Sequence, residues 1–134
     1  MIVDAQGAVL GRLAAKLAKE LLRGESIIVI NAEKIVVTGD PLAVFNRFKE
    51  KRERGDPHKG PFLSRYPDRM LKRTVRGMLP YKKERGSKAF KKLKVFMGNP
   101  DDLKGQKLGK TSDDLSCKFI TLEKIAIKLG AKLG

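Results

Sequence analysis

The stretch SIIVINAEKIVVTGDP (26–41) decides the fold class of this chain. Its first part, SIIVIN (26–31), is β-branched and almost wholly apolar, which is typical of a strand covered on both faces, as in a parallel sheet. IVVT (35–38) predicts a second strand of the same kind. TGDP (38–41) then supplies a glycine for a turn, an aspartate as helix N-cap and a proline for the first helical position.

Strand and helix signals also alternate on both sides of this stretch. IVDA (2–5) predicts a short strand, and apolar residues recur at helical spacing over 9–23, with Gly24 as the stop. The helix that follows TGDP is expected to run over 41–54. Strands that alternate with helices predict an α/β fold, in which helices pack on a mostly parallel sheet.

The second half of the chain predicts helices, one strand and two loop-like stretches. Residues 55–67 hold three prolines and two glycines, which indicates an extended loop. The other expected elements are helices over about 68–79, 86–92 and 121–130, a strand over 93–97 and a loop-like stretch over 98–120. Pro80 should end the first of these helices, and Thr121 and Gly130 should bound the last.

The whole chain, 1–134, is expected to form a single domain. With 134 residues and a hydrophobic content of 41%, it is long enough for one compact core and too short for two. We expect an α/β core over 1–97, loop-like structure over 98–120, and a C-terminal helix and tail over 121–134.

Positive charge is concentrated in one part of the chain. The formal net charge is +15 and the isoelectric point is about 10.2. Residues 69–94 hold eleven basic side chains and a single acidic one, Glu84, whereas residues 1–46 hold five of each. A field of this strength repels itself unless anions neutralise it, and its usual partners are nucleic acids or anionic membrane surfaces.

Several classes of protein fit the composition poorly. The longest apolar runs, such as SIIVI (26–30), fall far short of the roughly 20 residues of a membrane-spanning helix, and the start MIVDAQG does not have the pattern of a secretory signal. Cys117 is the only cysteine, so no internal disulfide can form and a reducing compartment fits. Aromatic residues make up 6% of the chain, fewer than is usual where single strands are bound by base stacking.

The segment around 68–79 places opposite chemistry on the two faces of one predicted helix. Its apolar face should carry Met70, Leu71, Thr74, Val75, Met78 and Leu79. Its other face should carry Arg69, Lys72, Arg73 and Arg76. A row of like charges destabilises an isolated helix, and solvated faces usually mix the two signs of charge. The row therefore favours an anionic ligand over a solvated surface.

The stretch RGMLPYKKERG (76–86) puts uncharged residues at the centre of the basic segment. We expect Gly77, Met78, Leu79 and Pro80 to form a structural knuckle whose apolar side chains anchor the end of the helix in the core. The basic side chains mounted on and beyond this turn are Lys82, Lys83, Arg85, Lys88, Lys91 and Lys92. Lysine and arginine neutralise phosphates through a strong, salt-sensitive interaction.

Two further groups extend the candidate interface. Arg12 and Lys16 belong to a basic line on the first helix, a pattern equally typical of a solvated face and of RNA contact. Arg65 and Lys59 lie in the proline-rich loop, and loops can enter RNA crevices that a globular face cannot. The helix over 41–54 interleaves charges of both signs, which favours a solvated face.

Local sequence does not favour an enzyme or a cofactor site. GQKLGKT (105–111) resembles a phosphate-binding loop, but three residues instead of four separate its first glycine from the Gly-Lys pair. His58 is the only histidine and Cys117 the only thiol, which excludes a zinc site of the His/Cys type. We expect no catalytic residue, no metal site and no cofactor.

Several separated motifs, in order, resemble the L-thirteen family of large-subunit ribosomal proteins. The first is KRTVRGMLP (72–80), followed by the residues Arg85, Gly86, Lys88, Ala89, Phe90 and Lys91 and by LKVF (93–96). The N-terminal half adds VDAQGAVLGRLAAKLAKELLRGE (3–25) and VINAEKIVVTGD (29–40). The wording GPFLSRYPDRMLKRTVRGMLPYKKERGSKAFKKLKVF (60–96) is more similar to archaeal and eukaryotic members. The long C-terminal extension of eukaryotic members is missing, which favours the archaeal type.

The resemblance implies a three-layer α/β/α fold around a four-stranded, mostly parallel sheet with basic helices and loop extensions. It also implies a non-catalytic role: binding large-subunit ribosomal RNA, contacting neighbouring ribosomal proteins and supporting subunit assembly and translation in the cytoplasm. It implies no cofactor, no membrane and no small-molecule substrate. Two other readings stay open at this point, a free-standing RNA-binding translational regulator and a nucleotide-binding α/β enzyme, and the defective glycine loops argue against the enzyme.

Overall fold

The computed structural model describes residues 1–53, 66–99, 102–108 and 117–130, with only the backbone given for 51–53. The strands in these ranges are β1 (Ile2–Asp4), β2 (Ile27–Ile30), β3 (Val36–Thr38), β4 (Leu93–Val95) and β5 (Phe119–Thr121). The helices are α1 (Leu10–Leu22), α2 (Pro41–Glu53), α3 (Pro67–Met78), α4 (Glu84–Lys91) and α5 (Leu122–Lys128), with a short 3-10 helix over Ala32–Lys34.

The stretch that decided the fold class supplies the central strand of a parallel sheet. Strand β2 lies between β1 and β4 and pairs with both in parallel. In the register, Val29 stands opposite Val3 on one side and Val95 on the other, and all three side chains are buried. The prediction of a mixed α/β fold with a mostly parallel sheet is confirmed.

Strand β3 does not join this sheet, contrary to the prediction from its apolar sequence. It pairs antiparallel with β5, so that Val37 stands opposite Ile120. The described residues therefore hold a three-stranded parallel sheet and a separate two-stranded antiparallel sheet, and the four-stranded sheet implied by the resemblance is not confirmed among them. The apolar character of β3 reflects its burial beside α1 and the residues that lead into it. The amide of Val36 donates to the carbonyl of Ala8, just before α1, over 2.8 Å.

The core includes the buried faces of the sheet and of two amphipathic helices, α1 and α3. Leu13, Leu17 and Leu21 recur every four residues along α1 and are fully buried. The two helices pack against each other, with Leu71 and Val75 of α3 also buried in the shared core. Each such side chain contributes about 1.5–3 kcal/mol by leaving water. This packing fixes the direction in which the opposite face of α3 points.

Helix ends follow the signals in the sequence. Gly24 adopts a φ of +98° just beyond α1, a conformation that favours glycine and ends the helix as predicted. The Thr121 hydroxyl accepts a hydrogen bond of 3.3 Å from the amide of Lys124 and so caps α5. Gly130 closes that helix with a φ of +97°. No helix within the described ranges is long and apolar enough to cross a membrane.

Candidate nucleic-acid interface

Helix α3 separates its apolar and basic side chains onto two faces, as its sequence predicts. Pro67 occupies the first turn, after Tyr66 in extended conformation, which suits the fixed φ of proline. Met70, Leu71 and Val75 are buried. The basic row is Arg69, Lys72, Arg73 and Arg76, of which Arg69 and Arg73 are exposed and the other two are half-buried.

Three of these four cations lie over aromatic rings. The guanidinium carbon of Arg76 is 4.3 Å from the ring centre of Tyr81. The corresponding distance from Arg69 to Tyr66 is 5.5 Å, and the ammonium of Lys72 lies 6.0 Å from the ring centre of Phe90. A ring face attracts a cation within about 6 Å but leaves its charge uncancelled. The rings therefore orient the row without neutralising it.

Acidic partners are absent from the row among the residues that the structure describes. None of the four basic side chains of α3 forms an ion pair with a described carboxylate. Asp68, on the same helix, keeps one buried carboxylate oxygen without a hydrogen-bond partner. Because no described carboxylate pairs with the four charges, this face presents a local positive potential to solvent.

A hydrogen-bonded turn connects α3 to α4. Leu79 leaves the helix with φ −105° and ψ 149°, the extended conformation expected before a proline. Its amide donates to the carbonyl of Arg76 over 3.2 Å, and the amide of Lys83 donates to the carbonyl of Pro80 over 2.9 Å. The side chain of Leu79 is only 4% exposed and anchors the turn in the core.

The prediction of a buried knuckle is correct for Leu79 and wrong for its neighbours. Met78 was expected to anchor the helix end, but it is 45% exposed. Gly77 and Pro80 are exposed as well. The physical reason is that α3 ends at Met78, where the chain turns and brings Leu79 into the core in its place.

Gly86 holds the other side of this turn, a role that its sequence position alone did not reveal. It is buried inside α4, and a methyl group added to it would overlap the carbonyl group of Pro80. Only a residue without a side chain allows α4 to approach the turn so closely. The sequence shows a glycine next to a basic turn, but it does not show that this glycine packs against the Pro80 carbonyl.

Helix α4 continues the basic surface beyond the turn. Ala89 of α4 and Leu93 at the start of β4 are buried. The exposed basic side chains of the turn and the segment after it are Lys82, Lys83, Arg85, Lys88, Lys91 and Lys92. Lys88 forms an exposed ion pair of 2.9 Å with Glu84, one turn earlier. The ammonium of Lys92 donates over 3.4 Å to the carbonyl of Gly24 at the end of α1.

The remaining candidate residues lie apart from this surface or outside the described residues. Arg12 and Lys16 are exposed on α1, which packs on α3 through its other, apolar face. Arg65 and Lys59 fall in 54–65, outside the described residues.

The described part of the stretch that resembles a phosphate-binding loop forms backbone hydrogen bonds with strand β1. The backbone of Gln106 bonds to Ile2 and Asp4 at 3.0 Å each, along the free edge of β1. A Cβ on Gly105 would come within 2.7 Å of the amide nitrogen of Asp4. The glycine thus serves a close backbone contact. Within the described ranges, no cluster of three or more His, Cys, Asp or Glu side chains could hold a metal ion.

Comparison with known proteins identifies the family. A family model for ribosomal protein L13 matches residues 1–102, which include the parallel sheet, α3 and α4. The chain belongs to the ribosomal protein L13 family. This is a family of structural ribosomal proteins, and the prediction that the chain is not an enzyme is confirmed by its membership.

Archaeal members of the L13 family are similar to this chain over nearly its full length. The "Large ribosomal subunit protein uL13" of Archaeoglobus fulgidus is 50% identical, with 96% of this chain and 86% of the relative covered. The protein of that name from Methanocaldococcus jannaschii is 46% identical over 98% of both chains. That of Haloarcula marismortui is 43% identical over 98% of this chain and 91% of its own. The predicted archaeal type is confirmed.

Proposed function

We propose that this chain is a structural constituent of the large ribosomal subunit and binds large-subunit ribosomal RNA through the basic surface of α3, α4 and the turn between them. The observation that carries the proposal is the row of four cations on α3 that has no acidic partner among the described residues. A protein maintains such a row at a cost in stability unless an anion meets it. RNA phosphates are the anions that a subunit protein encounters.

The mechanism of this binding is positioning and charge neutralisation. Helix α3 is fixed by its buried face, the turn by Leu79 and Gly86, and three cations by aromatic rings. Side chains held in this way lose little further freedom on contact with RNA. By neutralising phosphates at fixed positions, they let RNA segments approach each other, which supports subunit assembly.

The proposed contacts fall into two groups. Those expected to carry most of the binding are Arg69, Lys72, Arg73, Arg76, Lys82, Lys83, Arg85, Lys88, Lys91 and Lys92. Those proposed as outlying contacts are Arg12, Lys16, Lys59 and Arg65. Exposed apolar side chains elsewhere, such as Leu42 and Ile127, are available to neighbouring ribosomal proteins. We propose the cytoplasmic ribosome as the location and no membrane or small-molecule partner.

The finer architecture is proposed by analogy with the family. The family analogy gives a three-layer arrangement with a four-stranded sheet, and the parallel bridge between Gln106 and Val3 supports a fourth strand position. This bridge extends the three strands by one position at the edge of β1. The chain would then present the α3–α4 surface from a single domain spanning 1–134.

Sedimentation of a cell lysate on a sucrose gradient tests the function. An antibody would follow this protein at low salt and again after a high-salt wash. We expect it to remain in the large-subunit and whole-ribosome fractions through the wash, because many simultaneous phosphate contacts resist salt better than a few do. Recovery at the top of the gradient even at low salt would instead indicate a free-standing RNA-binding regulator and contradict the proposal.

A further inference from the structure

We propose that Tyr81 and Arg76 form a stacking platform for one unpaired RNA base, on a surface that otherwise contacts phosphates. The inference rests on the proposed function and specifies which RNA this surface prefers. The chain has only two tyrosines: Tyr66 is the N-cap residue of α3, and Tyr81 lies in the turn just after that helix. An arginine of α3 lies over the ring of each. The low aromatic content speaks against stacking along an extended strand, but it allows a single stacking position.

The geometry of the pair distinguishes it from the other cation–ring contacts. The distance of 4.3 Å from the Arg76 guanidinium carbon to the Tyr81 ring centre is the shortest of the four such contacts among the described residues. At this distance the guanidinium lies over the ring, well inside the roughly 6 Å within which a cation and a ring face attract each other. Both side chains are half-buried, so they are partly covered by protein and partly open to a ligand.

The backbone around Tyr81 holds the platform in place. The amide of Tyr81 donates to the carbonyl of Leu79 over 2.8 Å, and the buried Leu79 side chain ties this turn to the core. On the other side, Gly86 packs against the carbonyl of Pro80. A ring fixed in this way needs no ordering when a base stacks on it, which removes part of the cost of binding.

Charged neighbours determine what kind of base can reach the platform. Lys82 and Lys83 follow Tyr81 directly and are exposed, and Arg85 lies one residue beyond Glu84. These side chains can hold the phosphates on either side of a nucleotide. Bases inside an A-form duplex are shielded, whereas a bulged or looped-out base can stack on an aromatic ring or an arginine plane. The ligand of the platform is therefore an unpaired nucleotide flanked by duplex RNA.

A pair of RNA hairpins tests this inference with the full-length protein. One hairpin carries a single bulged 2-aminopurine, and the other has the same stem without the bulge. We expect the wild-type protein to bind the bulged hairpin roughly fivefold more tightly or better, as stacking of one base provides. Binding should also change the 2-aminopurine fluorescence, because that signal responds to stacking. The bulge preference should disappear in Tyr81→Leu and persist in Tyr81→Phe.

Two variants complete the test. Phe45→Leu alters a cation–ring contact of 5.5 Å with Lys128, away from the α3–α4 surface, and should keep the preference. If Tyr81→Leu does not fold, Arg76→Lys decides, because it keeps the charge and removes the planar group. An equal affinity of wild type for both hairpins, or a preference unchanged by Tyr81→Leu or Arg76→Lys, overturns the inference. Failure of wild type to bind either hairpin in a salt-dependent way would count against the proposed function itself.

Discussion

Helices α1 and α3 pack against each other, and each carries a row of basic side chains on its outer face. The α1 row is Arg12, Lys16 and Lys19, with Arg23 at the C-cap. The two rows differ in what surrounds them. At the end of α1, the C-cap residue Arg23 forms an ion pair of 3.0 Å with Glu20 of the helix. On α3, no described acid pairs with the row, and aromatic rings lie beneath three of its cations. The spacing of charges in the sequence is similar; the neighbours are not.

This difference shows why charge spacing alone is an incomplete guide to a binding surface. An exposed ion pair is worth little to stability, but it does reduce the local potential. A ring beneath a cation orients it and leaves its charge available. We therefore regard α3 as the centre of the proposed RNA-binding surface and α1 as its outlying part.

The largest expected effect comes from removing each row in turn. Replacing Arg69, Lys72, Arg73 and Arg76 together by glutamine should lower RNA affinity several hundredfold at about 0.2 M salt, if each phosphate contact contributes about one unit of log–log salt slope. Replacing only the proposed contacts of α1, Arg12 and Lys16, should cost less per residue and so remain below the roughly twentyfold that two full phosphate contacts would give on the same scale. Fluorescence anisotropy with a ribosomal RNA fragment measures both. Comparable losses per residue from both helices would remove the distinction between them.

The buried Leu79 side chain at the end of α3 should contribute far more to stability than the exposed Met78 beside it. Leu79→Ala should lower the free energy of unfolding by about 2–5 kcal/mol, because it deletes a buried side chain. Met78→Ala, one residue earlier, should cost only about 0.5 kcal/mol, since that side chain is largely in water. Urea unfolding of the two variants provides the comparison. Similar losses would mean that Met78 anchors the helix end after all.

Replacing a glycine by alanine should have opposite effects on stability in α4 and in α1. Gly86→Ala should destabilise the protein by about 1–3 kcal/mol, because the new methyl group meets the Pro80 carbonyl. Gly11→Ala in α1 should instead stabilise by up to about 1 kcal/mol, because its Cβ would meet nothing within 4 Å and alanine favours the helix. Thermal unfolding distinguishes the two signs. A stable Gly86→Ala variant would show that the turn does not need this close contact.

The smallest expected effect comes from removing the acid beside each basic surface. Glu84→Gln frees Lys88 and should tighten RNA binding a few-fold at about 0.2 M salt, roughly as one added phosphate contact would. Its stability should change by less than about 1 kcal/mol, because the ion pair is exposed. Glu20→Gln frees Arg23 on α1 and should alter binding less. A larger gain from Glu20→Gln would move the centre of the surface to α1.

Local patterns in the sequence predicted the helices well and the pairing of strands less well. The spacing of Leu13, Leu17 and Leu21 predicted α1, and the run SIIVIN predicted the central strand, because both signals lie within one element. The pairing of β3 with β5 joins residues some eighty positions apart in the chain, and no local pattern encodes it. Phe119 and Ile120 were consequently assigned to the loop-like stretch over 98–120, and Thr121 to the cap of the last helix.

In the candidate site, too, features within one helix were predicted and features that depend on tertiary packing were not. The separation of basic and apolar residues on α3 is a property of helical spacing and was predicted. The exposure of Met78 depends on where the chain leaves the helix, and the rings beneath the cations depend on how α4 and the turn pack against α3. These are tertiary features, so the sequence showed the charges without showing what holds them.

One measurement tests the central claim most directly, namely the salt dependence of RNA binding by Arg73→Gln. Arg73 is exposed, has no aromatic partner among the described residues, and can be replaced without disturbing the packing of the helix. The matched control is Lys124→Gln, an exposed lysine on α5. We predict that the slope of log affinity against log salt falls by about one unit for Arg73→Gln and stays at the wild-type value for the control. A wild-type slope in Arg73→Gln would contradict the claim that the α3 row binds RNA phosphates.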